Sequence, residues 1–193
     1  MMQESTPSAA LSWQELRPAA AKRPILGLSG WSGAGKTSLL CALIPLLREG
    51  GMRIALIKHA HHRFDVDHPG KDSYRLRKAG AGQVLLTSGQ RYALMVERFA
   101  PRTDPVLAEE LERLDQSVCD LILVEGFRHE RMPKIEIHRP SLGKPTLFDA
   151  DPGVIAVATD APATVRTVLP LLDLNDPATI SRFILDLPGI IGR

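Results

Sequence analysis

The chain has 193 residues, 44% hydrophobic and 24% charged, with 24 Lys and Arg against 22 Asp and Glu. That is length for one sizeable core and the composition of an ordinary globular protein. The near balance of charge and an aromatic content of 5% argue against a nucleic-acid-binding surface. No segment approaches the roughly 20 apolar residues that a membrane helix needs, and the start of the chain lacks the pattern of a secretory signal. Cys41 and Cys119 lie far apart and offer no disulfide framework, so buried free thiols in a cytoplasmic protein are expected.

Residues 1–23 are rich in Ala, Ser and Pro and lack a sustained period. They are expected to be a flexible tail, with LSWQEL as a short helical turn within it. Residues 24–193 read as a single domain. PILGLSG is an apolar strand ending in glycine, and KTSLLCALIPLLREGG is an apolar helix that stops at a Gly pair suited to a left-handed cap. Pro45 inside that helix removes one backbone donor and predicts a bend. RIALIKHA is a second strand, expected beside the first through a right-handed parallel crossover.

KDSYRLRKAGA reads as a short helix, and QVLLTSGQRYALMVER as two strands around TSGQ, a hairpin over residues 83–98 that could extend a sheet between subunits. PVLAEELERLDQS has helical spacing of Val106, Leu107, Leu111 and Leu114. CDLILVEGF is a buried central strand with a carboxylate at its end, PKIEIHR an alternating strand, and VIAVATD another buried one. DPATISRFILDL closes the chain as a helix started by Asp176. The order gives an α/β fold with a mostly parallel sheet and an antiparallel hairpin or edge insertion.

GWSGAGKTS, Gly30 to Ser38, fits the phosphate-loop pattern between a strand and a helix. Its glycines, Gly30, Gly33 and Gly35, let the backbone amides of the loop, Ala34 and Ser38 included, wrap phosphate oxygens. Lys36 reaches the terminal phosphates, Thr37 offers a hydroxyl to Mg2+, and the helix dipole points at the same anion. Glu125, at the end of LILVE, is the partner carboxylate for Mg2+, directly or through water, and Gly126 allows close approach to a phosphate. The competing reading of Glu125 is an ion pair with Arg128 or Lys134.

Lys58 and His59 end a strand at the edge where ligands bind in open α/β sheets. His61, His62, Asp65, Asp67, His68 and Lys71 follow, and residue types leave three readings open. One is a solvated loop. Another is a transition-metal site built on His59, His61 and His62 with Asp65 or Asp67. The third is a switch-like loop in which Lys58 and Lys71 neutralise phosphate and Asp65 or Asp67 orders the Mg2+ shell.

Together SGWSGAGKTSLL, LIKHAHHRFDVDHPGKDSYRLRKAGA and LILVEGFRHERMPKIEIHR resemble the MobB family, the molybdopterin-guanine dinucleotide biosynthesis adapter proteins, from about Ile25 onward. The resemblance implies a P-loop NTPase-like three-layer fold that binds GTP, a homodimer, and weak intrinsic GTP hydrolysis. It also implies association with the MobA guanylyltransferase, and with molybdopterin-handling proteins or molybdoenzymes. Carried over, Gly30, Gly33, Gly35, Lys36, Thr37 and Ser38 match the phosphate loop, and Glu125 with Gly126 the second nucleotide motif. Lys36 and Glu125 then carry any hydrolysis, and Thr37, Glu125 and Asp65 are the metal candidates.

The N-K-x-D element that reads guanine in many GTPases is absent. Asp160, just past VIAVAT, can accept from the guanine N1 and N2 donors, or can cap the turn after its strand. Trp31 stands where lysine-first P-loop ATPases carry lysine, which fits slow turnover. Two other activities stay open: a metallochaperone GTPase using the histidine loop, and a small-molecule kinase with Arg75, Arg77 and Arg91 as a phosphoryl clamp.

Overall fold

The computed structural model describes residues 15–60, 64–100 and 104–190. In chain order its strands and helices begin with β1 (Ile25–Ser29), α1 (Lys36–Glu49), β2 (Ile54–Lys58), α2 (Asp72–Lys78), β3 (Gln83–Thr87) and β4 (Tyr92–Val96). They continue with α3 (Leu107–Arg113), β5 (Leu121–Glu125), β6 (Lys134–His138), β7 (Val154–Thr159), β8 (Leu171–Asp173) and α4 (Pro177–Asp186). Contacts divide the chain into two compact units, residues 1–59 with 106–193 and residues 60–105.

The first unit is a six-stranded parallel sheet in the order β2-β5-β1-β6-β7-β8. β5 therefore lies between β1 and β2, which corrects the expectation that β2 flanks the phosphate-loop strand. The physical reason lies in the residues. LILVE is buried at all five positions, and such an apolar run gains most at the centre of the sheet. β2 leaves Leu56 42% exposed and takes the edge.

Alternate residues of each strand face opposite sides. Leu26, Leu28, Leu121, Leu123, Ile135 and Ile137 join α1 and α4 through Leu40, Leu43, Ile180 and Ile184. Ile25, Ile122 and Val124 join Leu107 and Leu111 of α3 on the other side. The result is three layers, helix on sheet on helix. Helix α1 runs through Pro45 and ends at Gly50 and Gly51, the latter at φ +85°. Asp176 caps α4 as read, accepting from the Thr179 amide at 3.0 Å.

Three features differ from the sequence reading. Strand β6 alternates in sequence yet is buried at all five positions. Its polar side chains find partners: Lys134 bonds Asp151 at 2.7 Å and the Arg128 carbonyl at 3.0 Å, and Glu136 accepts from the Leu147 and Phe148 amides at 2.8 Å each. The edge strand β8 is too short, at three residues, to show a period. Cys41 is exposed, whereas Cys119 is buried, and burial pushes its thiol pKa up.

Residues 15–23 also carry packing. Leu16 and Ala21 are buried, and the Lys22 amide donates to Gln116 Oε1 at 2.7 Å. Most of LSWQEL lies outside the described residues.

The second unit holds α2 and the β3–β4 hairpin, antiparallel as read, with Leu85 opposite Leu94. Val84 is buried, while Leu85, Tyr92, Leu94 and Val96 are exposed. Arg77 from α2 bonds both oxygens of Asp65, at 2.7 and 2.6 Å, and Glu97 at 2.9 Å. Asp67 lies 3.9 Å from Arg77 and accepts from Ser73 at 2.9 Å.

Candidate functional site

The site residues of the first unit lie at or just past the C-terminal ends of parallel strands, or on the first turn of α1 that follows β1, where open α/β sheets bind ligands. The loop from Gly30 to Gly35 joins β1 to α1. A Cβ on Gly30 would stand 2.5 Å from the Ile137 carbonyl oxygen, so no other residue fits this turn beside β6. The Lys36 ammonium folds back onto the loop and donates to the carbonyls of Gly30 at 2.9 Å and Trp31 at 3.0 Å. Burial lowers its pKa; the charge of Glu125 works against that shift and the charge of Lys58 adds to it. Ser38 is exposed on the first turn of α1.

Thr37 Oγ1 donates to Glu125 Oε1 at 2.8 Å, joining the phosphate loop to β5. Glu125 is buried, and its second oxygen takes the Lys58 ammonium at 3.0 Å. Lys58 also donates to Thr37 Oγ1 at 3.1 Å. The competing pairings of Glu125 do not form: Lys134 is engaged by Asp151, and Arg128 lies over the Trp31 ring, 4.9 Å from its centroid.

His59 donates its amide to the Glu125 carbonyl at 2.8 Å and stacks on Phe127, centroids 5.0 Å apart. Gly126 lies under it: at φ +94° a Cβ there would meet His59 Cβ at 2.7 Å. Phe127 is the one non-glycine residue of positive φ, at 52°, among the described residues. This turn ends β5 at Glu125, whose carboxylate accepts from Thr37, and sets the His59 ring against Phe127.

The contacts of three residues, Arg139, Trp31 and Glu136, have no signature in sequence. Arg139, just past β6, donates from Nε to the Ala34 carbonyl at 3.0 Å and from Nη1 to Asp160. Trp31 Nε1 donates to the Pro145 carbonyl at 2.8 Å, and Glu136 holds the same loop through Leu147 and Phe148. Burial pushes the Glu136 carboxyl pKa up, with the two amides acting the other way. Arg139 directly follows a visible strand, yet nothing in its local sequence tells that it turns toward Ala34.

In the second unit Asp65 is engaged by Arg77 and by the Asp67 amide, and the Arg77 hydrogen bond holds its carboxyl below the usual carboxylate range. Arg77 is likewise committed to Asp65 and Glu97, and Arg75 pairs with Asp72 at 3.4 Å. His61 and His62 lie outside the described residues. Among the described residues no group of three His, Cys, Asp or Glu side chains could hold a metal ion, and no helix is long and apolar enough to cross a membrane.

Comparison with known proteins gives a consistent result. The model of a family described as molybdopterin guanine dinucleotide synthesis protein B matches residues 25–160. The molybdopterin-guanine dinucleotide biosynthesis adapter protein of Escherichia coli (strain K12) is 48% identical over 165 residues, 84% of this chain and 92% of that protein. The adapter protein of the same name from Haemophilus influenzae is 44% identical over 161 residues, 83% of this chain and 87% of its own. A crystal structure of molybdopterin-guanine biosynthesis protein B superposes with a TM-score of 0.63 at 27% identity, covering 84% of this chain and 99% of that one. The Bacillus subtilis MobB structure, at 24% identity, shares the fold with a TM-score of 0.64 over 86% of this chain and 99% of its own.

Proposed function

This chain belongs to the molybdopterin guanine dinucleotide synthesis protein B family, MobB, and on that premise we propose that it is a GTP-binding adapter of molybdopterin-guanine dinucleotide biosynthesis that assists the MobA guanylyltransferase. The observation that carries the nucleotide part is the 2.8 Å bond from Thr37 to Glu125, with Lys36 folded over the loop. It brings a phosphate-loop hydroxyl, a strand-end carboxylate and a loop lysine to one place, as a nucleoside triphosphate with a divalent ion requires.

Mg2+ fits this pair, because hydroxyl and carboxylate oxygens are the hard donors it takes. When bound, it supplies charge neutralisation to phosphoryl oxygens. Lys36 neutralises the terminal phosphate, Glu125 orders the shell around the metal, and the amides of Gly33 to Ser38 hold the remaining oxygens. Any slow hydrolysis rests on the same Lys36 and Glu125. Asp160 reads the guanine edge. The exposed face of Leu85, Tyr92, Leu94 and Val96 makes a homodimer contact with a second copy. The adapter then works in the cytoplasm without nucleic acid or membrane.

Calorimetry with GTP and ATP, each with Mg2+, and MobA turnover assayed with and without this protein test the reading. Tighter binding of GTP and a MobA rate or yield that rises with added adapter are expected. Absence of both effects removes it.

A further inference from the structure

Lys58 stands out within the site because of where its charge lies. Its ammonium is 3.0 Å from Glu125 Oε2 and 3.1 Å from Thr37 Oγ1, while Thr37 donates to the other Glu125 oxygen at 2.8 Å. The hydroxyl thus accepts from Lys58 and donates to Glu125, a closed triangle that uses its donor and one lone pair. These are the two groups the nucleotide reading gives to Mg2+. A monovalent cation is already seated on them.

Two positive charges cannot share that position. Coulomb repulsion between an ammonium and a divalent ion a few ångströms apart, beside a Glu125 side chain only 10% exposed, is screened less than in water. The Lys58 side chain is 49% exposed, and its flexible four-carbon stem lets the head leave without any shift of β2. Glu125 cannot leave, being the last residue of a fully buried central strand.

Resting on the nucleotide reading, we propose that Lys58 is a built-in counter-cation for Glu125 and Thr37 that Mg2+ displaces when nucleotide binds, its ammonium passing to the phosphate oxygens. Lys58 is then a positioning residue that sets how strongly metal and nucleotide binding are coupled. In the free protein it keeps Glu125 aimed at Thr37, and it holds Mg2+ off until phosphate oxygens complete the metal's shell.

The test compares wild type, Lys58→Met and Lys58→Arg by titration with fluorescently labelled GTP, once with excess Mg2+ and once with chelator. Lys58→Met loses a phosphate contact, so its affinity without Mg2+ falls. It also loses the competitor of the metal, so the ratio of affinities with and without Mg2+ rises about tenfold, within the range of ordinary coupling between sites. Lys58→Arg keeps the cation and a ratio no higher than wild type. Mg2+ alone raises the melting temperature of Lys58→Met and not that of wild type. Lys58→Gln is the second neutral variant should Lys58→Met fail to fold.

An equal loss of GTP affinity with and without Mg2+ makes Lys58 an ordinary phosphate contact and overturns the proposal, while the nucleotide reading stands. A wild-type protein that binds no nucleotide removes that reading and this inference together.

Discussion

Replacing Arg139 by Met removes one donor from each of two partners. Its Nε bonds the carbonyl of Ala34 inside the phosphate loop at 3.0 Å, and its Nη1 bonds Asp160. A hydrogen bond involving a charged group contributes about 1.5–3 kcal/mol net. The side chains of Arg139 and Asp160 are 32% and 25% exposed, so screening by water reduces that. A loss of about 1–2 kcal/mol follows, which for a chain of this size lowers the melting temperature by about 2–8 °C. The loop also loses its tether to β6 and must be ordered by the ligand, so affinity for GTP and ATP falls together, by about tenfold. Urea denaturation and calorimetry with both nucleotides read the two effects, and Arg139→Lys, which keeps the charge but not the fork, falls between. A Met variant within about 0.5 kcal/mol of wild type, with unchanged nucleotide affinity, refutes the tether.

Asp160→Asn keeps an acceptor for Arg139 but reverses a donor–acceptor contact to guanine, so it weakens GTP binding and spares ATP; equal losses of both in the same calorimetric series end the base-reading role. Leu85→Asp with Leu94→Asp places like charges at a register pair on the exposed hairpin face, and a shift from dimer to monomer mass by sedimentation is expected; an unchanged dimer puts the interface elsewhere. The side-chain and then the backbone hydrogen bonds of Arg53 hold the Asp120 carboxyl well below the usual carboxylate range. Because the folded pKa is depressed, its stabilisation is complete above the unfolded value of about 3.9 and is lost as pH falls below it. Asp120→Asn flattens the acid limb of a stability–pH curve, and an unaltered limb contradicts this.

How legible the molecule is depends on the range over which each signal acts. Strands and helices come from local periods, so β1, β5, β7, the hairpin and the Asp176 cap lie where the residues put them. The phosphate loop is legible because its spacing is itself the geometry: Gly30, Lys36 and Thr37 are fixed by one strand-to-helix turn. Glu125 is legible from a coarser rule, a carboxylate ending an apolar strand.

Polar residues inside β6 mislead, because alternation normally marks a half-exposed strand. Lys134 and Glu136 are buried only because Asp151 and the amides of Leu147 and Phe148, 11 to 17 positions onward, come back to meet them. Likewise Asp65 has the chemistry of a metal ligand, and only the fold of the second unit turns Arg77 onto both its oxygens.

Strand order is the part that no local pattern carries, and the site depends on it. Reading along the sheet, the strand ends bring Lys58 from β2, Glu125 from β5, the phosphate loop from β1, Arg139 after β6 and Asp160 after β7. Inserting β5 between β1 and β2 sets Glu125 between the two elements it must bridge, with Thr37 on one side and Lys58 on the other. Had β2 paired with β1 directly, Lys58 would face the loop with no carboxylate between, and its charge would repel Lys36 unopposed. The same order puts Arg139 and Asp160 on the opposite flank of the loop, away from the carboxylate. On the proposed reading, phosphate and metal chemistry falls to β2, β5 and β1, Arg139 after β6 steadies the loop, and selection of the base falls to Asp160 after β7. That separation is why exchange of Lys58 should alter the metal dependence of binding without altering the preference for guanine.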